Sequence, residues 1–242
     1  MNIDISLADR IIRFYEEISA LSIQLPDDYY LINPLLGDQR EKVKKTIEAF
    51  YRTYYNDSNK RRLILGSSPA RKGSAVTGVP FEDARHLEKI SGNIFADYSV
   101  TRGASDFLLD VINIYGGRTC FYTKFYMNFV CPFGIVKINN HGHVTNCNYY
   151  DDRRLVESLT SLIVYSIKHQ IALGIDNSVC YCIGSGKNYE FLSKLNDEYV
   201  FFKKIIPLEH PRYIMQYNSN NKEFFVDKYM KALCDKDGDG VI

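Results

Sequence analysis

Four short apolar runs constrain this chain most: RRLILG at 61–66, FYMNFVCPFGIV at 125–136, NSVCYCIGSG at 177–186 and VFFKKIIPLEHP at 200–211, with helix-like stretches between them. Each holds a short apolar stretch of strand length, the pattern of a strand covered on both faces. Strands that alternate with helices build a parallel sheet with helices packed on its two sides. Residues 3–21 and 38–55 repeat apolar positions with helical spacing and add two amino-terminal helices. Helical segments are also predicted, with interruptions, over 84–115, and over 151–174, 187–196 and 223–234. The second of these is acidic at its start and closed by Gly174. The expected architecture is a three-layer α/β/α fold around a mainly parallel four-stranded sheet, preceded by N-terminal helices. It forms a single domain over 1–234, with 1–58 as a helical part and 235–242 as a flexible acidic tail.

In an open parallel sheet, ligands bind beyond the carboxyl ends of the strands. The segments that follow the four runs are SSPARKGSAVTGVPFED (67–83), NNHGHVTNCNYYD (139–151), GSGKN (184–188) and HPRYIMQY (210–217), and these should meet at one rim. The first is built from small residues, prolines and glycines. Something large must approach its backbone closely.

Several familiar chemistries are poorly signalled. GSGKN has Asn188 where a phosphate loop needs Ser or Thr after the lysine, so it reads as a strand-to-helix turn. DKDGDGVI at the carboxyl end copies the start of a calcium loop but lacks the closing glutamate. His141 and His143 flank Gly142 in a polar loop with only Cys147 nearby, and the six cysteines include no CxxC pair, so no metal site is expected. The strained GxSxG elbow of a serine hydrolase is missing. No apolar stretch is long enough to span a bilayer, and the amino terminus does not read as a signal peptide, so a soluble cytoplasmic protein is expected. With 30 basic and 29 acidic residues, any polyanionic partner must be met by a local patch rather than by overall charge.

GSSPARKGSAVTGVPF (66–81) and HPR (210–212) resemble the two signature motifs of the uracil-DNA glycosylase superfamily, particularly the SMUG group of single-strand-selective monofunctional uracil-DNA glycosylases. In that group the first motif reads roughly GMNPGPFGMAQTGVPF and the second begins HPSPR. The spacing from Ser68 to Phe81 agrees, and TGVPF matches letter for letter. PAR in place of PGP and HPR in place of HPSPR resemble a bacterial second branch of the group. FYMNFVCPFG, followed by a polar loop with asparagine and then a helix, is similar to the group's second strand and reading loop. The resemblance covers about residues 60–233.

What the resemblance implies is a DNA repair enzyme that flips a deaminated base out of DNA and hydrolyses its N-glycosidic bond. Uracil is the first substrate, with xanthine or hypoxanthine as further ones. Extrusion costs a few kcal/mol, offset by stacking and edge hydrogen bonds in a pocket. Gly66 and Ser67 then leave room for the nucleotide, and Phe81 is the surface on which the base stacks. An asparagine amide offers the donor and acceptor that match uracil: Asn148 by its place before the helix, with Asn146 as the alternative. Tyr149 or Tyr150 closes the pocket beside it or simply packs. His210 donates a hydrogen bond to the departing base. Ser68 stands where most of the group has asparagine to position the attacking water. A serine can orient water but is no strong base, and Asp83, just beyond Phe81, is either a substitute activator or a helix cap.

DNA would be held by Arg71, Lys72, Pro211 and Arg212 at the motifs, with Lys60, Arg61, Arg62, Arg153 and Arg154 as further cations, and its affinity should fall with salt. No metal or organic cofactor is required, and a monomer, nucleoid-associated by function, is expected. Ser68 also admits a second reading, a damaged-base-binding protein of the same fold with little or no hydrolysis. A more distant third is a nucleotide-binding protein using GSGKN.

Overall fold

The computed structural model describes residues 5–99 and 102–234. The tail with its calcium-like motif lies outside these residues. A four-stranded sheet contains β2 (Arg62–Gly66), β3 (Phe125–Phe129), β6 (Asp176–Ile183) and β7 (Lys204–Leu208) in the order β3-β2-β6-β7, every pair parallel. These are the four expected strands, with helices between them. The chain passes from β2 to β3 on one side and then crosses to β6 on the other, so the carboxyl ends of β2 and β6 border the crevice where the strand order reverses.

Alternation along the strands divides the core. Ile64, Met127, Ile183 and Leu208 pack against Leu108, Val111 and Ile112 of α5 (Arg102–Ile114) and Tyr229 and Leu233 of α10 (Lys222–Cys234). On the opposite face Tyr126 meets Tyr51 of α2 (Arg40–Tyr54) and Tyr55 just after it, with ring centroids 6.2 and 6.0 Å away. Helix α1 (Leu7–Ser19) packs on α2 and buries Leu7, Ile11, Phe14 and Ile18, the i, i+4, i+7 spacing of one helical face.

Two features depart from the sequence reading. The second apolar run is not one strand: it breaks at Cys131–Pro132, and only its first part joins the parallel sheet. The rest forms β4 (Gly134–Ile138), the middle strand of a separate antiparallel sheet between β1 (Tyr29–Ile32) and β5 (Val144–Cys147). The stretch expected to be a polar loop is therefore a hairpin that turns at Gly142, which has φ +74°. Proline at 132 has no N–H to continue the ladder, which ends the first pairing there.

The second departure concerns Arg61. Instead of facing a polyanion it is fully buried at the amino end of β2, away from the strand's carboxyl tip. Its Nε donates to the Tyr122 carbonyl at 3.0 Å, Nη1 to the Asn59 carbonyl at 2.7 Å, and Nη2 to Asp57 at 2.7 Å. Arg62 beside it donates from Nη1 to the Tyr181 hydroxyl at 3.1 Å. This end of the sheet is knitted together by two of the cations that the sequence offered to DNA. Arg61→Met should lower unfolding stability by about 2 kcal/mol, less than for a wholly buried pair because Asp57 is partly exposed. Urea unfolding measures this, and DNA affinity of the folded variant should match that of the parent chain.

Candidate active site

A cavity of about 470 Å³ opens at the carboxyl ends of the parallel strands. Its walls come from the segment after β2, the stretch around Asn148, and the start of α9 (Pro211–Tyr217) after β7. Gly66, Ser67, Ser68, Phe81, Asn146, Asn148, His210, Pro211 and Arg212 all line it. GSGKN does not. Its Asn188 is turned into the core, so three of the four strand-end segments meet at the cavity, not all of them.

The segment after β2 is folded around Phe81. A short helical turn, α3 (Ser74–Thr77), is closed by Gly78, and the Ser74 hydroxyl accepts a hydrogen bond from the Phe81 N–H at 3.1 Å. Phe81 adopts φ +59°, a left-handed conformation uncommon for a bulky residue. Its ring stacks on Phe129 with centroids 4.8 Å apart and planes at 29°. A Cβ at position 66 would lie 2.4 Å from Phe81 Cζ and 3.0 Å from Phe129 Cδ1. Glycine at the tip of β2 is thus what lets the aromatic ring lie across the strand end.

Asn148 is held from both sides. The Ser67 hydroxyl donates to its Oδ1 at 3.2 Å, and Asp151 Oδ2 accepts from its backbone N–H at 2.7 Å. Asp151 was not singled out from sequence, although an aspartate three residues after an asparagine is a usual turn signal. Asn146 lies exposed on β5, opposite Val136. Tyr150 lines the cavity and its hydroxyl meets Ser67. Tyr149 takes the packing alternative: it is fully buried, does not line the cavity, and donates to Asn188 Oδ1 at 2.6 Å. Adjacent tyrosines leave this turn on opposite sides, and only the second faces the opening.

His210 caps α9. Its Nδ1 accepts from the Arg212 N–H at 3.1 Å, which leaves the ring proton on Nε2 as a donor. Burial, helped by the Arg212 guanidinium, lowers its pKa to about 4. The Tyr229 hydroxyl donates to the carbonyl of the preceding Glu209 at 2.5 Å and steadies the loop from below.

Two acidic neighbours of Phe81 take structural posts. Asp83 accepts from the Arg85 N–H at 2.7 Å as N-cap of α4 (Ala84–Ser91) and does not line the cavity, the helix-cap alternative of the sequence reading. Glu82 is buried and receives Arg118 Nε at 2.9 and 3.1 Å. Burial raises its pKa against the opposing pull of Arg118. Neither this pair nor Tyr98, Gln216 and Tyr217, which also line the cavity, stood out in sequence. Arg71 and Lys72 sit on the turn before α3, outside the cavity wall, and Arg212 is exposed at its edge. Arg153 and Arg154 lie exposed at the start of α7 (Arg153–Ala172), engaged with Glu157 and Asp152. Among the described residues no three His, Cys, Asp or Glu side chains converge as metal ligands, and no helix is long and apolar enough to cross a membrane.

A family model described as "Uracil DNA glycosylase superfamily" matches residues 52–234. The chain belongs to the uracil-DNA glycosylase superfamily. The crystal structure of wild-type SMUG2 from Pedobacter heparinus superposes with a TM-score of 0.87 at 39% identity, covering 95% of this chain and 97% of that one. No curated protein sequence matches. Within the superfamily the chain is thus SMUG-like, with DNA as its substrate and base removal for repair as its class of function.

The titration of His210 in this superfamily member is directly measurable. Because the folded chain binds this proton more weakly than the unfolded chain, the contribution to stability is complete above about pH 6.5 and is lost as pH falls through about 4. NMR of the imidazole should show a midpoint near 4; one near the ordinary 6.5 would refute the neutral, Nε2-protonated ring.

Proposed function

We propose that the chain is a monofunctional DNA glycosylase that removes uracil, and secondarily xanthine or hypoxanthine, leaving an abasic site. The observation that carries this reading is that Phe81, Asn148, His210 and Ser68 line one cavity. An extruded base stacks on the Phe81 face. Asn148 still has one lone pair on Oδ1 and one N–H on Nδ2 to offer, since each amide atom can make two hydrogen bonds. Uracil answers with its N3–H and O4, whereas cytosine presents an acceptor and a donor in the reverse places. Xanthine and hypoxanthine carry the same ring N–H beside a carbonyl, which is why deaminated purines belong to the same substrate class.

Cleavage of the bond between C1′ and N1 sends its electron pair to the base and leaves positive charge on the sugar. His210 Nε2–H donates to the base carbonyl oxygen, where negative charge grows, so its hydrogen bond strengthens in the transition state. A neutral ring suffices and keeps its proton. Water held by Ser68 adds to C1′ and releases a proton to solvent. Because the sugar cation is already a strong electrophile, orientation replaces base catalysis in this step. None of the described cavity-lining residues is a lysine, consistent with water rather than an amine as the nucleophile. Arg212, Arg71 and Lys72 supply phosphate contacts, with Pro211 holding the turn.

The second reading, a base-binding protein without hydrolysis, draws on Ser68 and on the engagement of Asp83 in capping. One assay separates the two. DNA with a single uracil is incubated with the protein, treated with alkali and examined for cleavage at that position. Strand breaks are expected, with His210→Ala slower by about 100- to 1000-fold and Ser68→Asn faster. Xanthine and hypoxanthine substrates complete the panel, with guanine as the base that must be retained. Tight binding with no cleavage would establish the second reading.

A further inference from the structure

The GSGKN turn contributes nothing to the cavity wall, yet its asparagine is among the few buried polar side chains of the protein. Asn188 stands at the second position of α8 (Lys187–Tyr199) and points back under the end of β6. Its Nδ2 donates to the Ile183 carbonyl at 2.9 Å and reaches Cys182 Sγ at 3.2 Å, while its Oδ1 accepts the Tyr149 hydroxyl at 2.6 Å. Gly184, at φ +107°, leaves the space beside it: a Cβ there would stand 3.3 Å from Asn188 Cβ. The amide is therefore fixed in position and fixed in which end faces Tyr149.

Tyr149 in turn is gripped on all sides. Phe191 meets it edge-on at 4.7 Å, and Tyr150 at 4.8 Å and 77°. It directly follows Asn148 in the chain, and Tyr150 reaches Ser67, which also donates to Asn148. A single hydrogen bond thus ties the end of β6 to the two residues that flank the proposed base edge. A buried hydroxyl with one partner cannot turn to another, so the bond transmits position rather than merely adding affinity.

Resting on the proposed glycosylase reading, we infer that Asn188 and Tyr149 form a positioning pair that sets Asn148 for base recognition, with Asn188 acting through the Tyr149 hydroxyl. Neither residue touches the base. Misplacement of a recognition group by about 1 Å can cost roughly 100-fold. The pair should therefore affect recognition of the base and leave recognition of the DNA backbone untouched.

The test uses the full chain and two DNA probes, one bearing 2′-fluoro-2′-deoxyuridine, which resists hydrolysis, and one bearing a tetrahydrofuran abasic analogue. Tyr149→Phe removes one oxygen and keeps the ring packing. It should weaken binding to the fluorouridine probe, and single-turnover uracil release, by at least about tenfold, with affinity for the abasic probe unchanged. Asn188→Leu should do the same. The double variant, in which neither the phenol nor the amide oxygen is left facing an unpaired mate, should lose no more activity than the worse single variant. Tyr149→Phe, which keeps the ring contacts and the Asn188 bond to the Ile183 carbonyl, carries the test should Asn188→Leu be too unstable to handle. Equal weakening on both probes, unchanged release by Tyr149→Phe, or additive losses in the double variant would overturn the pairing. If the parent chain itself releases no uracil, the functional proposal fails instead, a result distinguishable from any of these.

Discussion

The site depends on a steric permission at one atom position. The tip of β2 carries no Cβ at Gly66, and into that space falls the ring of Phe81, backed by Phe129. Almost everything nearby serves this arrangement. Ser74 engages the Phe81 N–H and helps hold its unfavourable backbone angle, while Glu82 fastens the next residue to Arg118. A left-handed phenylalanine costs on the order of 1–3 kcal/mol and persists only where its surroundings over-determine it. Here a hydroxyl, a buried ion pair and an aromatic stack do so together. The outcome is a rigid flat wall facing an open cavity, the geometry a base needs if it is to be held by stacking.

Polar chemistry is arranged on the same plan, with each reactive group oriented by a neighbour that does not react. His210 has its tautomer chosen by the Arg212 backbone N–H, and Asn148 is braced by Ser67 and Asp151. Preorganised donors stabilise growing charge without reorganising at the moment of reaction. On the proposed reading, a site with serine in the water-positioning place needs orientation more than a strong base. Little depends on strong acids or bases, and much on fixed directions.

The parallel sheet was legible because its central strands carry short apolar stretches that are buried on both faces. The antiparallel sheet was not: VTNC is short and half polar, and YYLI sits between turns where nothing in its pattern distinguishes a strand. In the site, the motif residues were legible through their resemblance to a family, and Phe81, Asn148 and His210 do share one cavity. What the sequence left open were choices between neighbours. Glu82 and Asp83, or Tyr149 and Tyr150, are chemically alike and adjacent, and which one faces inward depends on a local backbone angle that no spacing rule reports. Arg61 failed for a related reason, since a basic run looks solvated until the backbone carbonyls around it are in place.

The small antiparallel sheet has a consequence for where this enzyme begins. Strand β1 comes from the amino-terminal part yet pairs with β4 along its whole length, and the Tyr29 hydroxyl donates to Asp152 at the head of α7 at 3.0 Å. The stretch that follows β5 and carries Asn148 is thereby stitched to residues upstream of position 52, where the family-wide similarity starts. A fragment cut to the superfamily model alone would strip a neighbour from β4 and leave an open ladder close to Asn148. The span of the superfamily model and the unit that folds together are different lengths of chain.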